Sequence, residues 1–550
     1  KTTFENSATD GGLSYPGNYF IANSVNKPVT TAGIRNRRTI NSLYASADIG
    51  YKNMLFLQAT WRGDWSSALT YSNGTGNNFY NYPAASLSWI FTETFKSSLP
   101  SWITFGKLRG NLAALGGDTD PFKINPGFAF NGYSNANGQT IPLSTYSTSS
   151  VLQPNLKPQR KISKELGLEM RFLENRLGLD VSIYQDNTKN QLLDIGTPTE
   201  SGVSTIFINA GNIQNKGIEI SLDATPLRTK NFSWNTALNY AVNRNMIVDL
   251  YPGRTEYDLG ANIGEISTWA VVGKSYGTLR SKINSTAFQA VDGNGKPVDD
   301  PRNGLPILQW RGDSRTAFPN RSNVWQDVGD INAKFRAGWD NTFNYKNFSL
   351  NVLLDAKIGG DFVLLSYRYG THTGVFPNSL PGRDAKNGGI EWTSQYANDG
   401  GTYDDGIIPE GVFKPGQMVD KPGGGTADVG GMTYQQAYDQ GLVEPSHLPQ
   451  FYYRYGSSST GVSDYWVLKN SWISLRQVAV SYRFPSKLYE KLKLNALSLS
   501  VVGRDLLYLH NTLPYNFNPA SNNSNNTAYS GEEGFLPMMR SFVFTLRASF

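Results

Sequence analysis

Cysteine is absent from all 550 residues, which excludes a disulfide framework and any thiolate metal site. Only three histidines occur, His372, His447 and His510, and their spacing matches no zinc-site pattern. No G-x-S-x-G elbow is present, so a hydrolase reading has no local support. Apolar runs approaching the roughly 18 residues of a membrane-spanning helix are also missing, and the mean hydropathy is −0.40. For a membrane protein that leaves strands, whose alternation escapes hydropathy averaging. The net charge is +6, but Lys and Arg are dispersed among Asp and Glu, a pattern that argues against nucleic acid as a partner.

What the sequence does have is aromatic residues, at 13%, and 55 glycines. Its last stretch, M-M-R-S-F-V-F-T-L-R-A-S-F, places Phe542, Phe544, Leu546, Ala548 and Phe550 on one face of a strand, with Ser541, Thr545, Arg547 and Ser549 on the other. Side chains alternate with period two along a strand, so such a segment suits a wall with lipid outside and a wet lumen inside. The same rhythm appears at 39–51 and 55–62, and again at 166–172 and 177–183. It continues at 218–224 and 232–248, at 335–345 and 348–354, and at 478–484 and 497–501.

Short turns alternate with long connections near 116–161, 193–213, 250–329, 367–470 and 509–537. Outer-membrane barrels sort their connections in this way, short in the periplasm and long outside. If the last strand runs toward the periplasm, every short turn falls on that side, provided 250–329 adds no strand or an even number. The fold expected is therefore all-β, a transmembrane antiparallel barrel, with residues 1–37 an extracellular loop segment and 38–550 the barrel portion. About thirteen strands are counted, and an odd number cannot close an all-antiparallel barrel. Further wall is expected upstream, since Lys1 opens on loop-like sequence.

Several blocks occur in one order: "LFLQATWRGDWSS" with "YPAASLSWIFTETF", then "KLRGNLAALGGD", "LQPNLKPQRKISKELGLEMRF", "NAGNIQNKGIEISL", "GIIPEGVF" and "WISLRQVAVSYRFP". Together they resemble SusC/RagA-type TonB-dependent transporters, although Trp65 stands where that family often has glycine and 250–329 follows its pattern poorly. The resemblance implies a barrel of about 22 strands around an N-terminal plug, with the plug and about nine strands outside this chain. It also implies a location in the outer membrane of a Gram-negative bacterium of the Bacteroidetes type. The activity implied is import of oligosaccharides or oligopeptides, without catalysis, under a SusD-like lipoprotein lid and with energy from TonB. A terminal Phe550 resembles the signal read when such barrels are inserted. A passive porin, or a structural or adhesive barrel, is the alternative in the membrane; a soluble carbohydrate-binding or hydrolytic β-protein fits the strand faces less well.

Candidate contact residues follow from the same frame. Tyr367, Arg368 and Tyr369 read as an inward-facing strand end, where phenol rings suit sugars or peptide backbones; an interfacial aromatic girdle would use the same residues. Arg62 and Asp64 fall on the lumenal parity of their strand, as cargo contacts or as a charge network within the wall, while Trp61 and Trp65 point to lipid. No cofactor is expected. Asp292, Asn294, Asp299 and Asp300 offer oxygens for a structural Ca²⁺, but lack the spacing and closing Glu of an EF-hand, and a plain Gly/Asn turn accounts for them better. The long loop at 370–464 would meet the lid.

Overall fold

The computed structural model describes residues 2–8, 10–17, 23–26, 29–120, 123–125, 128–134, 140–146, 150–152, 155–196, 205–396, 398–449, 452, 454, 456, 460–489, 494–521, 528–534 and 537–549. Phe550 lies outside them. By internal contacts the chain forms two compact units, Lys1–Ile218 with Asn245–Thr255, and Glu219–Arg244 with Glu256–Phe550.

Thirteen strands build the main antiparallel sheet, and their order across it is their order in the chain. They are β1 (Ile40–Tyr51), β2 (Leu55–Ser66), β3 (Ala84–Trp89), β4 (Ile103–Gly117), β5 (Gln159–Phe172), β6 (Leu177–Gly196), β7 (Thr205–Arg228), β8 (Phe232–Asp249), β9 (Phe335–Tyr345), β10 (Phe348–Ile358), β11 (Trp472–Arg483), β12 (Ala496–Asn511) and β13 (Ser541–Ser549). Such a meander needs tight turns at one end. Lys52 and Asn53 both take positive φ, and the Met54 amide donates to the Tyr51 carbonyl, the mirror-image turn whose twist matches the flanking strands. Lys346 takes positive φ at the two-residue link between β9 and β10.

Register fixes the faces. Leu168 faces Val181 and Leu166 faces Ile183 across β5 and β6, while Glu169 faces Asp180. Leu166, Ile183, Trp339, Leu350 and Phe544 are all solvent-exposed, as expected of a surface that meets lipid. The opposite face is polar and internally paired: Arg109 donates to both oxygens of Asp180 at 2.8 Å, and Lys107 meets Glu169 at 2.7 Å. Among the described residues β1 pairs only with β2 and β13 only with β12. Two open edges in hydrocarbon are untenable, so this sheet is one part of a larger closed wall. Since thirteen alternating strands leave β1 and β13 running the same way, an odd number of strands completes it.

Several connections differ from expectation. Residues 193–213 are mostly strand, with β6 reaching Gly196 and β7 starting at Thr205. Before the main sheet, Thr2–Ala8 pairs with Val29–Asn36 as a separate two-stranded ribbon, which leaves the expected placing of 1–37 outside the membrane untested. Residues 250–329 add no strand to the wall, which satisfies the parity condition; instead they build small sheets. Four strands, Glu256–Ile263, Ile266–Val271, Thr278–Ser281 and Gln326–Asp330, form one of these. Another joins Ile307–Arg311 and Thr316–Pro319 to Val412–Phe413, far along the chain. Here the apolar residues turn inward: Leu308, Phe318, Phe413, Val419, Tyr434 and Val443 make a buried core, and Ile263, Ile266, Leu279, Val363, Leu365 and Trp466 make a second. The loop expected at 370–464 is thus largely a folded body.

Candidate functional site

The outer ends of β9 to β12 carry this folded assembly, because each long connection departs from the strand ends opposite the tight turns. Tyr367, Arg368 and Tyr369 belong to it, but not as a strand end. After a four-residue strand, Asp361–Leu364, the chain enters helix α1 (Leu365–His372). Helical spacing separates the three side chains. Tyr367 is buried, accepts from the Asn378 amide at 2.9 Å, and packs with Phe376, Tyr515 and Phe517. Arg368 is also buried, donates to Glu265 at 2.6 Å and lies 4.3 Å from the Trp466 ring centroid. Both fix α1 to its surroundings. Of the three, Tyr369 is the exposed one, with the Arg368 guanidinium 5.7 Å from its ring centroid. Burial lowers the pKa of His372, with Arg368 adding to the effect.

Arg62 and Asp64 sit together in β2. Arg62 donates to Asp64 at 2.7 Å and to Ser42 of β1 at 3.1 Å, and the Tyr82 hydroxyl donates to the second Asp64 oxygen at 3.0 Å. Asp64 is buried, so its oxygens are committed to the wall. Trp61 and Trp65 are exposed on the other face.

Asp292, Asn294, Asp299 and Asp300 do not converge. Asp292 accepts from the backbone amides of Asn294 and Lys296, both at 2.9 Å, closing a turn. Asp300 is gripped by Arg302 through Nε at 2.8 Å and Nη2 at 2.7 Å. Those bonds hold its carboxyl down at about 2. Among the described residues no three acidic or histidine side chains gather at one point.

Sequence reasoning missed an aromatic row on the outer assembly. A small ribbon, Ile390–Thr393 with Thr402–Gly406, sets Trp392 opposite Tyr403. Their ring centroids lie 4.9 Å apart, and His447 stacks on Tyr403 at 4.8 Å. Beside them a cavity of about 130 Å³ is lined by Arg315, Tyr396, Asp399 and Glu444. Arg315 pairs with Asp399 at 3.0 Å, while the Tyr403 hydroxyl, donating at 2.8 Å, is the main reason Asp399 stays below the usual carboxylate range. Flat rings next to fixed hydrogen-bonding groups suit pyranose faces and peptide planes alike. The alternation in E-W-T and T-Y-D on either side of a Gly-rich turn was the available signal; His447, more than forty positions on, left none.

Comparison with known proteins places this architecture. The family model described as TonB dependent receptor-like, beta-barrel, matches residues 2–304. TonB-dependent receptor P39 of Formosa agariphila is 27% identical over 372 residues, covering 60% of this chain and 34% of that protein. TonB-dependent receptor SusC of Bacteroides thetaiotaomicron is 25% identical over 360 residues, covering 62% and 34%. The matches span about a third of the length of these curated relatives. The solved structure of the RagAB peptide transporter superposes with a TM-score of 0.65 at 16% identity, over 96% of this chain and 49% of that one. At that identity the likeness concerns the fold.

Proposed function

Because the chain belongs to the TonB-dependent receptor-like β-barrel family, whose members are receptors and transporters, we propose that the complete protein is an active importer in the outer membrane of a Gram-negative bacterium of the Bacteroidetes. Its cargo is an oligosaccharide or oligopeptide, its energy comes through TonB, and a SusD-like lipoprotein closes it from outside. The family match carries this reading. Support comes from the outer assembly, which is folded around its own buried cores, and from the Trp392, Tyr403 and His447 row, which suits a polar oligomer. The fold likeness to the RagAB peptide transporter agrees with the oligopeptide class.

The alternative is a passive porin, and uptake distinguishes the two. Cells carrying the full-length protein are given labelled oligosaccharide or oligopeptide, with and without TonB. An importer accumulates cargo only when TonB is present. Uptake that persists undiminished without TonB establishes the porin.

A further inference from the structure

Three lumenal side chains form a row across β9, β10 and β11, because Arg336 pairs in register with Lys357 and Lys357 with Trp472. Two cations directly opposite each other destabilise a sheet. Lys357 makes matters harder by being only 9% exposed, and an ammonium removed from water needs a partner. Among the described residues neither cation has one: no ion pair or hydrogen bond joins Arg336 or Lys357 to a carboxylate.

Acids are close by, but each is already held. Asp355 and Asp505 are both bound by Arg476, at 2.9 and 2.7 Å. Asp361 is held by Lys469 at 2.7 Å and by the Asp330 amide at 2.8 Å. The contrast is local and sharp, since Arg476 has two carboxylates and its neighbours none.

Both unpaired cations line one cavity of about 370 Å³, together with Asn470, Trp472 and the paired Arg476 and Asp355. Two further polar atoms there lack partners, the Trp472 indole N–H and the Asn470 side-chain oxygen. Both residues are at least nine-tenths buried. The cavity therefore offers two unpaired positive charges beside the Arg476–Asp355 pair.

We propose that this cavity is a subsite for a carboxylate on the cargo. The inference rests on the import reading, and it narrows that reading to acidic oligomers. A carboxylate bridging Arg336 and Lys357 replaces their repulsion with two charge-assisted bonds. The cavity lies at the outer end of β9 to β11, beside the departure of the outer assembly.

The test uses the full-length protein in a bilayer nanodisc and calorimetric binding of two matched pairs of probes. One pair is a trigalacturonate and its methyl ester; the other is a short glutamyl peptide and its glutaminyl counterpart. In one pair the charged member is expected to bind about tenfold tighter than the neutral one, and the pair that does so identifies the source of the carboxylate. In the double variant R336Q/K357M that preference is expected to vanish while the neutral member binds as before. Its unfolding temperature is expected to hold or rise, because a like-charge pair has been removed, so loss of folding is detected separately. No preference for charge in either pair, or a preference that survives in R336Q/K357M, overturns the subsite. TonB-dependent uptake with no charge preference would overturn the subsite alone, whereas TonB-independent uptake would overturn the import reading.

Discussion

The wall strands and the assembly at their outer ends use apolar residues in opposite ways. In the wall the large apolar side chains are the exposed ones, up to 73% for Phe544, and the polar face is knitted together by pairs such as Arg109 with Asp180. In the outer assembly Trp466, Tyr434 and Phe413 are fully buried, as in any water-soluble domain. One chain thus follows two solvents. Lipid rewards an apolar exterior and obliges every backbone group to pair; water rewards an apolar interior. The boundary between the two regimes runs near the ends of β9 to β12, and the cavity holding Arg336 and Lys357 lies there.

The largest effect should come from emptying the outer core. Phe413→Ala is expected to cost about 3–5 kcal/mol of local stability. Hydrogen exchange in the full-length protein should rise at 306–319 and 412–443 while β9 and β10 stay protected. Loss of protection along the strands as well would mean that wall and assembly form one cooperative unit, and the contrast would fail.

Next comes the face of the wall. Val181→Arg or Leu222→Arg should cost about 2–4 kcal/mol in equilibrium folding into lipid. Ser221→Arg, one residue away on the lumenal face and bonded to Asn239 at 2.9 Å, should cost far less. Ser182 is a poorer control, because Arg109 already occupies its surroundings at 2.6 Å. Equal costs on both faces would remove lipid from the account.

The smallest effect is a pH response confined to the assembly. The pairing with Arg302 depresses the Asp300 carboxyl to about 2, below its value in the unfolded chain. Its stabilisation is therefore complete above the usual carboxylate pKa of about 4 and fades as pH falls through about 2. Amide exchange at Asn303 and Leu305, which bond back to Asp300 and Arg302, should quicken over that window. Flat exchange rates would show that the ion pair holds nothing in place.

The same contrast explains what the sequence disclosed. The wall was legible strand by strand because its signal is local: alternation fixes each face, and tight turns such as Lys52-Asn53 fix each register. The count of about thirteen came from the alternation itself, while parity allowed 250–329 either no strand or an even number, and the main sheet takes none from it. The outer assembly was not legible, because its cores join residues far apart, Leu308 with Phe413 and Ile263 with Trp466, and no short window contains both. Tyr367, Arg368 and Tyr369 fell at the border. Three residues alternating ring, charge, ring fit a strand end as well as a helical turn, and only the packing of Tyr367 and Arg368 decides for the helix. Arg62 and Asp64 bond to each other, to Ser42 and to Tyr82, partners that lie on three different segments and that no local pattern specifies.

Spin labels placed singly at each position from Ser349 to Lys357 of β10, in the full-length protein in bilayers, test the division of solvents most directly. The account predicts alternation with period two: labels at 350, 352, 354 and 356 relaxed by oxygen dissolved in lipid, and labels at 349, 351, 353, 355 and 357 by a water-soluble nickel complex. Uniform access to the nickel complex along the strand, or alternation of the opposite phase, would contradict it.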